Sequence, residues 1–140
     1  MGLRDLFSGK QEDAGEAQAV AGDVVLESTY LKAALAGGIV HATVLTEKVT
    51  EREARILQEE LVQAVDASGH KLSVDLSSVM MLASAGIGAF VQVHRACEGN
   101  KGKMVLHSID APILEMLKIS RMDKLFTIVP DRATALRKLG

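Results

Sequence analysis

A chain of 140 residues has room for one domain and a tail. Hydrophobic residues make up 48% and charged residues 24%, the balance of a folded protein rather than a disordered one. Aromatics are only 3%, which argues against a surface that stacks bases or sugars, and a net charge of −2 argues against a general nucleic-acid binder.

Residues 1–22 are small, polar and aperiodic, and read as a flexible N-terminal tail with a short apolar cluster at Leu3, Leu6 and Phe7. Met1 to Phe7 includes Arg4 and Asp5 and no long apolar run, so no signal peptide is expected. The tail carries the whole net charge, because residues 23–140 hold 14 basic and 14 acidic side chains. The balance within them is uneven: acids dominate through His94 and bases dominate after it.

From residue 23 the pattern is regular. Val24–Leu26 and Tyr30–Leu35 are strand-capable. Gly37-Gly38 predicts a hairpin turn, and Ile39–Leu45 follows as a β-branched strand. Thr50 with Glu53 makes a capping box for a helix to about Ala67, with Ala54, Leu57, Leu61 and Ala64 or Val65 inward and Ser68-Gly69 as the stop. Leu72–Leu76 is a short buried strand, followed by a loop to Ala83. Ser84 stands where a helix N-cap belongs, and its helix runs to about Glu98. Lys103–His107 is the next strand. Asp110 and Pro112 open a third helix, Phe126–Val129 is a last strand, and Pro130-Asp131 opens a final helix to Leu139. Strands alternating with helices predict one α/β domain over 23–140, a mixed central β-sheet with about four helices. Leu76–Val93 lacks formal charge, but its serines and Gly86/Gly88 mark a turn, so no membrane insertion is expected and the default location is the cytoplasm.

Candidate chemistry is sparse. A single cysteine, Cys97, excludes a disulfide framework within the chain, and its place on the inner face of a helix makes it a buried hydrophobe. His41, His70, His94 and His107 are scattered without metal-ligand spacing and read as surface or strand residues. Glu51, Glu53, Glu59 and Glu60 read as a solvated helix face. Gly86-Ile87-Gly88 opens a helix, but lacks the remaining glycine or lysine of a nucleotide loop; its simpler role is close packing of the helix start. No catalytic residue, metal site or cofactor is assigned. Ser84 is the most informative residue. A hydroxyl at a helix start is reachable by a kinase, and the helix dipole tolerates a phosphate there. A partner resting on Ala83, Ala85, Gly86 and Ile87 would then meet a dianion.

Val74-Asp75-Leu76-Ser77-Ser78-Val79 and then Met81-Leu82-Ala83-Ser84-Ala85-Gly86-Ile87-Gly88 resemble the central signature of STAS domains, the anti-sigma factor antagonists and their relatives. Lys103–Leu106, Leu117–Phe126 and Ala133–Leu136 are similar to that family's second half. The resemblance implies a STAS-like domain and a binding protein, not an enzyme. It implies phosphorylation at Ser84 by an anti-sigma factor that is also a serine kinase, reversal by a serine phosphatase, and partner switching by a cytoplasmic transcription regulator. The family's acidic residue before the serine is Ala83 here, and the hydroxyl residue after it is Ala85. Those departures support a second reading, a STAS-like accessory or ligand-sensing subunit of a membrane transport or sensory complex that is not phosphorylated.

Overall fold

The computed structural model describes residues 22–140. The expected tail, with its Leu3, Leu6 and Phe7 cluster, lies outside the described residues except for Gly22.

The strands are β1 (Asp23–Glu27), β2 (Leu31–Ala36), β3 (Ile39–Val44), β4 (Lys48–Val49), β5 (Lys71–Asp75), β6 (Met81–Leu82), β7 (Lys103–His107) and β8 (Thr127–Val129). The α-helices are α1 (Glu51–Ala64), α2 (Ser84–Gly99), α3 (Ala111–Ile119) and α4 (Arg132–Leu139). Six strands form one sheet in the order β1-β2-β3-β5-β7-β8, and β4 pairs with β6 in a separate two-stranded ribbon. The first three strands are antiparallel, and β3, β5, β7 and β8 run parallel to one another. The expected mixed sheet with four helices is therefore present.

Local chemistry explains most element ends. Gly37 and Gly38 turn between β2 and β3 with φ of 63° and 77°, the left-handed region a two-residue hairpin needs. At α1 the Glu53 carboxylate accepts from the Thr50 N–H at 2.9 Å and from its hydroxyl, and both bonds hold Glu53 below the usual carboxylate range. One 3₁₀ turn (Val65–Ser68) extends α1, and Gly69 ends it in a left-handed conformation. Asp131 caps α4, its Oδ1 accepting from the Thr134 N–H at 2.9 Å.

Side chains alternate across the sheet. On one face Val40, Ala42, Leu72, Val74, Met104 and Leu106 are buried under α1, α2 and α3, with Leu57, Leu61, Phe90, Val93 and Leu117 filling the layer between. The opposite face carries a smaller apolar cluster of Ile39, Val105 and Val129 with Ala135 and Leu139 of α4. With so few aromatics, the larger core rests on aliphatics around two buried phenylalanines, Phe90 and Phe126.

Candidate functional site: the start of α2

Two loops leave the sheet beside each other, after β3 and after β5. The Glu47 carbonyl accepts from the N–H groups of Met80 and Met81 at 2.7 and 3.0 Å. Lys48 then pairs with Met81 and Val49 with Leu82 in the β4–β6 ribbon. The Ala83 N–H donates to the Val49 carbonyl at 3.0 Å, continuing that ribbon into the helix start. Ala83 is thereby held extended, with φ −80° and ψ 169°, and α2 begins at the next residue.

This corrects the expected cap. Ala83, not Ser84, occupies the N-cap, and Ser84 is the first helical residue. The Ala83 carbonyl accepts from Gly86 and Ile87 at 2.9 and 3.1 Å, so the backbone closes the first turn without a side-chain cap. The Ser84 hydroxyl is exposed and has no hydrogen-bond partner among the described residues. No acidic side chain lies in the first turn of α2, so the positive end of the helix dipole is not offset there.

The other expected contact residues divide. Ala85 is exposed, Ala83 and Ile87 are half-buried, and Gly86 is buried. A Cβ on Gly86 would lie 2.5 Å from Leu82 Cδ1 and 2.8 Å from Val49 Cγ1, so this glycine seats α2 against the β4–β6 ribbon and does not lie on the outer surface. A Cβ on Gly88 would meet nothing within 4 Å, so the packing role expected for both glycines holds only for the first. Ser84, Ala85, Gly88, Gln92 and Arg95 are all exposed on α2. Three side chains not singled out from the sequence sit in the adjoining loops and ribbon: Leu45, Met80 and Met81, 46%, 59% and 49% exposed. A Met-Met pair before a helix is a weak signal for an adaptable contact surface.

Elsewhere the candidates fall into structural roles. Cys97 is fully buried, and burial, aided by the neighbouring Glu98 charge, pushes its thiol up to about 11. It should resist iodoacetamide in the folded protein at pH 8 and react once urea unfolds the chain; rapid native labelling read by mass spectrometry would contradict this burial. His41 and His107 are strand residues and buried. His94 is a correction: it is on α2, 5% exposed, with its ring edge-on to Phe126 at 6.0 Å. Phe90, Val93 and Cys97 are buried on α2, and His94 is buried beside them. His70 lies 3.4 Å from Asp66. Among the described residues no group of three or more His, Cys, Asp or Glu is arranged to hold a metal ion, and no helix is long and apolar enough to cross a membrane.

Comparison with known proteins agrees with this architecture. A family model described as "Mlab, STAS domain" matches residues 33–130, well over half of the chain. An anti-sigma-factor antagonist (STAS) domain protein from Planctomyces limnophilus is similar with a TM-score of 0.71 at 16% identity, covering 78% of this chain and 97% of its own. An anti-sigma factor antagonist from Mycobacterium paratuberculosis gives a TM-score of 0.68 at 19% identity, covering 78% of this chain and 92% of its own. The murine Solute Carrier 26 family member A9 (Slc26a9) anion transporter gives 0.62 at 16% identity, covering 73% of this chain but 18% of its own. At these identities the structural likeness carries the fold, and the family match carries membership: the chain belongs to the STAS domain family.

Proposed function

We propose that this protein is a cytoplasmic partner-switch regulator of the anti-sigma factor antagonist type, with Ser84 as its switch. The observation that carries the reading is the exposed, unpartnered Ser84 hydroxyl at the first position of a 16-residue helix, beside exposed Leu45, Met80 and Met81. In this reading the unmodified protein binds an anti-sigma factor with serine kinase activity through Ala83, Ala85, Ile87 and the adjoining methionines. Gly86 acts from below by seating the helix. Phosphorylation adds about −1.5 to −2 charges at a helix end whose dipole accommodates them, so the domain stays folded while the contact fails. A serine phosphatase restores binding. The fold of anti-sigma factor antagonists from two bacteria supports the partner class.

A second reading has its own support. Ala83 and Ala85 remove an acid and a hydroxyl from the family's motif, and the fold also occurs within a murine anion transporter. An accessory or ligand-sensing subunit of a membrane transport or sensory complex would use the same α2 surface without phosphorylation. Affinity capture with the wild-type chain and with Ser84→Glu separates the two. Recovery of an ATP-binding kinase by the wild type alone supports the switch. Recovery of a transport component by both chains favours the accessory subunit and sinks the switch.

A further inference from the structure

The face of the sheet beneath α4 holds a buried polar cluster. By alternation, His41 of β3, Ser73 and Asp75 of β5, and His107 of β7 all point to this face. Strand register sets His41 beside Ser73 and Asp75 beside His107. His41, Ser73 and His107 are 6%, 1% and 1% exposed. Three of their polar atoms, His41 Nδ1, Ser73 Oγ and His107 Nε2, have no hydrogen-bond partner among the described residues. His107 Nδ1 is paired with Ser108 Oγ at 2.8 Å. Buried polar atoms without partners are uncommon and costly, so three on adjacent strands call for an explanation.

The element above them is lightly held. α4 has eight residues, of which Ala135 and Leu139 are buried, in a small apolar cluster with Ile39, Val105 and Val129. One polar link to the sheet is Arg132 Nη2, 3.8 Å from Asp75 Oδ2. Elements with few apolar contacts open before the rest of a domain does.

We propose that α4 is an acid-released strap: protonation of His41 and His107 frees it from the sheet while the rest of the domain stays folded. An imidazolium beneath α4 would face Arg132 from the helix and, across β5, the other histidine. Asp75 from β5 and Asp131 at the cap of α4 are the carboxylates that favour charge on His107. Lys32 shares this face on β2, opposite Thr43, and is exposed. Burial holds both rings below the ordinary imidazole range, with Arg132 acting in the same direction; the hydrogen bond to the Ala36 backbone opposes this at His41, and Asp75 and Asp131 oppose it at His107. The sign follows. Opening α4 returns the rings to an ordinary value of about 6.5, so the open form binds protons more readily. The strap is therefore held above about pH 6.5 and loosens as pH falls below it. A hollow of about 370 Å³, lined in part by His41, Arg132 and Leu136, gives water a route to the first ring. The larger core lies on the other face, under α1 to α3, so it is not undone by the same event.

Amide hydrogen exchange on the full chain, read by NMR at pH 7.5 and pH 5.5, tests this. Protection factors in α4 should fall about 10- to 100-fold, from one or two linked imidazoles, while those of β5 and α1 hold within about 2-fold. The double variant His41→Gln/His107→Gln should lose the pH dependence. Should that variant fail to fold, the ring-proton titrations of both histidines in the wild type must share their midpoint with α4 opening. Constant α4 protection, opening of α4 together with β5, or histidines that titrate without any change in α4 would each overturn the proposal.

Discussion

Gly86→Val is expected to destabilise the domain by about 3 kcal/mol, whereas Gly88→Ala should stabilise it by up to about 1 kcal/mol. The two glycines stand two residues apart in one helix and differ only in what lies outside them. At Gly86 the first added carbon already crowds Leu82 and Val49, and it would lie 3.1 Å from the Val49 carbonyl, which the ribbon hydrogen bonds hold in place. The branched side chain must then push α2 off the β4–β6 ribbon. At Gly88 an added methyl meets open space and removes the entropic cost of glycine within a helix. Urea unfolding followed by circular dichroism gives both values. A Gly86→Val chain as stable as the wild type would mean that α2 is not seated on the ribbon in this way.

The second large effect is on binding. Ser84→Glu should leave the unfolding free energy within about 0.5 kcal/mol of wild type, because the charge sits at the positive end of α2. Affinity for the partner should fall at least 100-fold or so, because a contact made over Ala85 and the methionines leaves the carboxylate desolvated and unpaired. Ser84→Ala keeps the small surface and should bind within about 3-fold of wild type. A Ser84→Glu protein that binds as tightly as wild type would place the contact elsewhere on the domain.

Several parts of this picture were legible in the amino-acid order. Thr50 and Glu53 identify the start of α1 because their reciprocal hydrogen bonds are local, and Gly37-Gly38 marks a turn for the same reason. The inward stripe of α1 and the burial of Cys97 follow from helical spacing. The β4–β6 ribbon was not legible, because each strand is two residues long and its partner lies more than thirty residues away. That ribbon also explains the one-residue displacement of the cap: long-range pairing fixes Ala83 as extended, overriding the preference of serine for the cap position. The placement of Met80 and Met81 follows from the same pairing. The polar face under α4 was partly written in the sequence as Ile39-His41-Thr43 alternating with Val40-Ala42-Val44. It became a cluster only when three parallel strands came into register.

The proposed switch depends on a reversible phosphate at Ser84 that decides partner binding. The direct measurement is intact-mass analysis of the full chain and of Ser84→Ala after incubation with the partner kinase and ATP, joined to a binding titration of each product. One phosphate is expected on the wild-type chain, none on Ser84→Ala, and loss of partner affinity in the phosphorylated chain alone. A phosphate on another residue, or undiminished binding by the chain phosphorylated at Ser84, would contradict it.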